Sequence, residues 1–258
     1  MKPDFKPGMP PLGVGDFAAL DGSLKFDKPA GGPPPDFQVK MADIGWVKRK
    51  YLDLPYDTVS NAQRLDLYLP EEGEGPFPLV VHLHGGGFGM GDKRGDHTDT
   101  YLQGLKYGYA LASVEYRLSG EAIFPAAVLD CRAAFRWLRE HAAEYHLDPN
   151  RFCALGGSAG GNLAALLGMN IPNGQFPGEE NKQFTVSCAV QAAVDQFGPI
   201  DFRHMDEQAY ANGVSFADHD QPFSAESSYM GGPLPELPDE WLAKANPTTY
   251  ISEEMAPM

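Results

Sequence analysis

The chain is short of what a membrane span, a nucleic-acid binder or a disulfide scaffold would need. Its 258 residues contain no apolar run long enough to cross a bilayer. The stretch from Met1 to Gly8 has no apolar signal core, so secretion is not indicated and a cytoplasmic location is expected. Basic residues are scarce: 20 Lys and Arg stand against 35 Asp and Glu, a formal net charge of −15. That balance repels nucleic acid and anionic membranes, and neither is expected as a partner. Cysteine is limited to Cys131, Cys153 and Cys188, all in apolar stretches. An odd count without framework spacing reads as buried free thiols.

What is present fits one large α/β domain. Hydrophobic residues make up 43% and charged residues 21%, values of a globular chain with a substantial core. Residues 1–46, with the run Gly31 to Pro35, read as a Pro/Gly-rich arm, and the domain proper as 47–258. Val47 to Leu54 and Arg64 to Leu69 are expected to form a hairpin across Pro55 to Gln63. Further strands are expected at Leu79 to Leu83, Ala110 to Tyr116, Phe152 to Leu155 and Val186 to Val194. Helices are expected over Thr98 to Tyr107, Pro125 to Tyr145 and from Leu163 to Met169. The long helix carries an inward stripe of Val128, Cys131, Phe135, Leu138 and Ala142. Alternating strands and helices specify a mainly parallel sheet covered on both faces.

Two glycine-rich turns carry the chemistry. Gly156-Gly157-Ser158-Ala159-Gly160 follows an apolar strand and opens a helix, the setting of a G-x-S-x-G nucleophile elbow. Small residues two before and two after the serine let strand and helix approach around a strained turn. The hydroxyl of Ser158 then stands at the positive end of the helix. Upstream, the strand Leu79 to Leu83 runs into His84-Gly85-Gly86-Gly87-Phe88. Attack on an acyl carbon needs N–H groups aimed at the developing oxyanion, and glycines bring their backbone close because no Cβ intervenes. Gly86, Gly87 and Ala159 are the expected donors. Residues from about 198 to 247 lose the regular apolar period but hold Phe202, Tyr210, Phe216, Phe223, Tyr229 and Trp241. A long irregular insertion of this kind reads as a cap over the serine; the alternative is a surface excursion with its own apolar cluster.

Several runs carry a resemblance. They are Tyr116 to Glu121, Phe124 to Ala127, Asp130 to Ala134, Asp148 to Arg151, Phe197 to Asp201, Ser228 to Pro233 and Ala245 to Ile251. Together with the elbow they resemble the α/β-hydrolase carboxylesterases. The resemblance is closest to the bifunctional acetylxylan esterase/feruloyl esterase group and next to the hormone-sensitive lipase-like esterases. The latter usually carry Asp where this chain has Gly157. The resemblance implies a serine esterase for short acyl esters, such as acetyl or feruloyl esters of plant polysaccharide, working without a cofactor. Two other functions stay open: a non-catalytic remnant that binds acyl ligands, and an amidase or formamidase using the same serine.

The resemblance also implies a catalytic acid after a seventh strand and a histidine after an eighth. Ala256 to Met258 would only open that seventh strand. The catalytic acid and histidine are therefore expected to be absent from this chain, and the domain to lack its last two strands and their helices. Resident substitutes are few. His84 reads as a residue that holds the glycine loop, His141 and His146 lie at the far end of a helix, and Asp195 reads as structural. His204 and His219 lie in the cap, where no orienting acid is expected. His82 and His84 share a strand face and could ligate zinc with further ligands at later strand ends. No other histidine occupies such a place, so no metal is expected. Without a seventh strand, the apolar residues Cys188 to Val190 and Ala192 to Val194 would form an open sheet edge, and self-association through it is expected.

Overall fold

The computed structural model describes residues 39–180, 182–214 and 217–258. Most of the arm expected over 1–46 lies outside these residues, as does Phe216. Of the arm, Met41 bridges to Gly95 and the Ala42 N–H donates to the Arg94 carbonyl (2.7 Å).

Six strands form one sheet in the order β1-β2-β4-β3-β5-β6. They are β1 (Arg49–Pro55), β2 (Arg64–Leu69), β3 (Phe77–Leu83), β4 (Ala110–Val114), β5 (Leu147–Gly157) and β6 (Ala192–Gln196). β1 and β2 make the expected hairpin, with Pro55 opposite Arg64, and β2 runs antiparallel to β4. β4, β3, β5 and β6 are mutually parallel. The central strands are apolar on both faces because helices cover both. Among the helices are α1 (Thr98–Leu102), α2 (Ala126–Glu140) and α3 (Ala159–Gly168). In α2 the expected stripe is fully buried, from Val128 through Cys131, Phe135 and Leu138, with Ala142 just beyond the helix. Smaller helices follow: α4 (Met205–Ala211), α5 (Ala225–Met230) and α6 (Asp239–Ala243).

Four expectations need correction. The last strand begins at Ala192, not Val186. Its intended first half is held off the ladder by side chains: Arg139 donates to the carbonyls of Ser187 and Ala189, and Asn170 Nδ2 to that of Val190 (3.1 Å). Consequently Cys188 and Val190 are buried rather than laid along an edge. The helix over 98–107 splits into α1 and a 3₁₀ turn that ends on left-handed Gly108. The long helix stops at Glu140, after which Ala142 turns its carbonyl to the Leu147 N–H (2.8 Å) and starts β5. All three cysteines are free, but Cys153 is only partly buried.

The irregular segment is not a separate apolar island. Phe202, Tyr229, Met230, Leu234, Trp241 and Leu242 belong to the same buried cluster as the sheet. Tyr210 and Phe223 stay about half exposed. Phe88, from the glycine run, stacks flat on Tyr229 with ring centroids 3.8 Å apart. The segment thus packs against the end of the sheet where β3 and β5 deliver their glycine turns. Among the described residues no helix is long and apolar enough to cross a membrane.

Candidate active site

β5 ends at Gly157 and α3 starts at Ala159, leaving Ser158 alone to turn the chain. Its backbone sits at φ 56°, ψ −125°, a conformation L-residues rarely adopt and one that stores strain. The strain is held in place from both sides. The Ser158 N–H donates to the Gln196 carbonyl (2.9 Å), and the Ser158 carbonyl accepts from Gly161 (2.8 Å) and Asn162 (3.2 Å). The hydroxyl does not cap the helix, so it is free for other work.

The flanking glycines are required by contact. A Cβ on Gly156 would collide with the Gly160 carbonyl and stand 2.8 Å from that of Leu83. One on Gly160 would overlap the Leu83 carbonyl oxygen and stand 2.7 Å from that of His84. One on Gly85 would stand 2.8 Å from the Gly157 carbonyl and 3.5 Å from Ser158 Cβ. The two glycine turns expected to cooperate therefore lie against each other. Gly86 and Gly87 both have positive φ. Among the described residues, the N–H groups of Gly86, Gly87 and Ala159 donate to no backbone carbonyl. A Cβ on Gly87 would come within 2.8 Å of Ala225, at the start of α5.

His84 acts as the loop's anchor. Its Nδ1 donates to the Gly85 carbonyl (2.9 Å), its ring stacks on Tyr116 (4.3 Å), and its Nε2 stands 3.3 Å from the Glu115 carboxylate. Tyr116 Oη donates to the His84 carbonyl (2.7 Å). His82 turns elsewhere. Ser113 Oγ spends its proton on the Lys93 carbonyl (2.6 Å) and so accepts from His82 Nδ1 (3.0 Å). Burial, with the neighbouring His84, drives the His82 imidazole down to about 3. The two strand histidines thus have separate partners, and no group of three or more metal-ligating side chains occurs among the described residues. Asp195, near the end of β6 and opposite Gly156 of β5, accepts the Gly198 N–H through its Oδ1 (2.7 Å).

The two histidines of the 198–247 segment correct one expectation: both have an orienting acid. His204 Nδ1 lies 2.9 Å from Asp201, whose hydrogen bond and charge raise the imidazole pKa at an exposed site. His219 Nδ1 donates to Asp206 at 2.6 Å, and Asp206 also accepts the N–H groups of His219 (3.0 Å) and Asp220 (3.1 Å). Burial pushes the Asp206 carboxyl up, but these donors together hold it below the usual range. The His219 carbonyl accepts from Ser224 Oγ (2.7 Å), which caps α5 next to the Gly87 contact. Of the remaining histidines, His141 Nδ1 is bound to the Trp137 carbonyl (2.8 Å) and His97 is exposed beside Asp96. The His146 carbonyl holds Phe77 at the far end of β3 (2.7 Å). Sequence spacing could suggest Asp201 with His204, three apart; nothing local points from Asp206 to His219.

The known proteins to which this chain is similar include esterases. Residues 65–258 match the BD-FAE family. Esterase LipQ of Mycobacterium tuberculosis is 30% identical over 209 residues, covering 80% of this chain and 46% of LipQ. A bifunctional GH43-CE protein of Bacteroides eggerthii superposes with a TM-score of 0.68 at 31% identity, covering 80% of this chain and 27% of that one. A truncated carbohydrate esterase from gut microbiota gives a TM-score of 0.68 at 26% identity, covering 84% and 77%. The chain spans about half the length of the curated relatives it matches.

Proposed function

This chain belongs to the BD-FAE family of α/β-hydrolase carboxylic ester hydrolases, and from that premise we propose that it cleaves short acyl esters through an acyl-enzyme on Ser158. The observation that carries this reading is the strained Ser158 backbone at the β5–α3 turn, with its hydroxyl uncommitted to the helix. In the proposed reaction the Ser158 oxygen attacks the ester carbonyl carbon and its proton passes to an imidazole. Gly86, Gly87 and Ala159 donate N–H groups to the oxyanion; the C–O bond to the alcohol then breaks, and that alcohol takes the proton. Water, activated by the same imidazole, releases the acid. The substrate we propose is an acetyl or feruloyl ester of plant polysaccharide. The names of the carbohydrate-esterase relatives support that substrate class.

We propose further that the catalytic histidine and acid of the triad lie outside these residues. In support, His82, His84 and His141 each commit Nδ1 to a partner other than Ser158, and no hydrogen bond joins Ser158 Oγ to an imidazole among the described residues. Turnover by this chain is then limited to roughly 10³–10⁴-fold over water, from binding and oxyanion stabilisation. A second reading is favoured by one contact, the 2.6 Å Asp206–His219 pair ahead of α5, which has the acid–imidazole half of a triad.

The test is acyl-enzyme trapping with p-nitrophenyl acetate, followed by mass spectrometry, and turnover of matched ester and amide substrates. Slow acetylation of Ser158, with ester turned over and amide not, is expected. Binding without an adduct would favour the acyl-binding remnant, and amide turnover the amidase. Fast ester turnover that His219→Ala abolishes would favour the second reading.

A further inference from the structure

Phe197 is the most exposed large hydrophobic residue among those described, at 84%, and it sits beside the nucleophile. The preceding residue, Gln196, accepts the Ser158 N–H through its carbonyl (2.9 Å). The ring Cζ of Phe197 lies 3.5 Å from where a Cβ on Gly157 would project. Any side chain at 157 would therefore lie against the ring, and glycine leaves it bare.

The residue is unfavourable twice over. Its φ is 50°, in the left-handed region that non-glycine residues enter at about 1–3 kcal/mol. Its ring also leaves apolar surface in water. Phe88 shares the positive φ (57°) but is offset by burial of its ring, flat on Tyr229. Phe197 has no such burial. Strain at a nucleophile-bearing turn, joined to a ring left in solvent, points to a ligand contact rather than to packing.

The turn that presents the ring is rigid. Asp195 Oδ1 accepts from Gly198 (2.7 Å), and Asn162 Nδ2, inside α3, donates to the Pro199 carbonyl (2.8 Å). Gly198 touches the backbone of Gly161 and Asn162, where a Cβ would not fit. Tyr101 Oη donates to Gln196 Oε1 (2.8 Å). A ring fixed this firmly to the elbow loses little freedom when a ligand stacks on it. The same ties use Asp195 Oδ1 and Gln196 Oε1 next to the ring. That favours a flat apolar group over the hydroxyl-rich face of a sugar.

We propose that Phe197 is a specificity-determining residue: the platform on which the planar aryl part of an acyl group stacks while its carbonyl faces Ser158. This rests on the reading of Ser158 as nucleophile. The experiment measures methyl ferulate binding by ligand-observed NMR in the full chain, in Ser158→Ala, and in Phe197→Ala and Phe197→Tyr on both backgrounds. Labelling of Ser158 by a small ethyl fluorophosphonate is followed in parallel. Phe197→Ala is expected to weaken methyl ferulate about five- to tenfold, on either background, and more than it slows labelling. Phe197→Tyr is expected to retain the affinity. Unchanged ferulate affinity in Phe197→Ala, no ferulate binding by the parent chain, or equal losses in affinity and labelling would overturn the proposal. Failure to label Ser158 would instead count against the nucleophile, since the binding comparison on Ser158→Ala does not depend on it.

Discussion

Gly160 lies backbone to backbone against Leu83: a methyl group on the glycine would overlap the Leu83 carbonyl oxygen and stand 2.7 Å from that of His84. This contact joins α3, which follows Ser158, to the end of β3, from which the glycine run at 85–87 springs. Gly160→Ala must push the two elements apart and is expected to cost about 3 kcal/mol by denaturant melting. Gly120, where a Cβ meets nothing within 4 Å, is the control. Gly120→Ala is expected to change stability by about 1 kcal/mol or less. Equal effects at both glycines would mean that the close approach is not enforced.

Glu179 holds two buried arginines. Its oxygens accept from Arg132 Nε (3.0 Å) and one terminal Arg132 nitrogen (2.8 Å), and from Arg136 (2.6 Å). Burial alone would raise the carboxyl, but the guanidinium groups hold it below its ordinary range. Glu179→Ala leaves buried positive charge without a partner and is expected to cost about 3–5 kcal/mol. A loss under about 1 kcal/mol on thermal or chemical melting would show that water relieves the arginines.

His82 makes the fold acid-sensitive. Its folded pKa is depressed to about 3 by burial, against an unfolded value of about 6.5. Between those values the unfolded chain binds the extra proton, so stability falls as pH falls, by at most about 1.4 kcal/mol per pH unit. Denaturant melts from pH 7 to pH 4 should show this slope, and His82→Gln should reduce it by about one proton. An unaltered slope in the variant would assign the acid sensitivity to other groups.

β6 is the outer strand of the sheet, and its edge is only partly occupied. The Ala193 N–H donates to the Pro257 carbonyl (2.9 Å), while Val194 is 39% exposed. The proposed self-association uses what remains of this edge, a shorter stretch than Val186 to Val194. Light scattering with size exclusion should show concentration-dependent association, reduced in Val194→Lys. A monomer at all concentrations in both proteins would contradict it.

The sharp strand-to-helix turn at Ser158 was legible in the sequence because its requirements are local. A strand, a small residue two before and two after Ser158, and a helix must follow one another without interruption, and here they do. The glycine run was legible for the same reason, and the α2 stripe because burial repeats every three or four residues. β6 was misplaced because Val186 to Val190 is apolar enough for a strand, while Arg139 and Asn170, distant in sequence, take its carbonyls. The Asp206–His219 pair spans a helix and a loop, so no spacing rule reveals it. The exposure of Phe197 was equally hidden, because a phenylalanine after a strand reads as core until the turn is seen to point it outward.

The most direct measurement is labelling with a fluorophosphonate probe followed by peptide mapping. Slow modification confined to Ser158, and absent from Ser158→Ala, is expected. Labelling that persists in Ser158→Ala, or that falls on another serine, would contradict the assignment of Ser158 as the nucleophile.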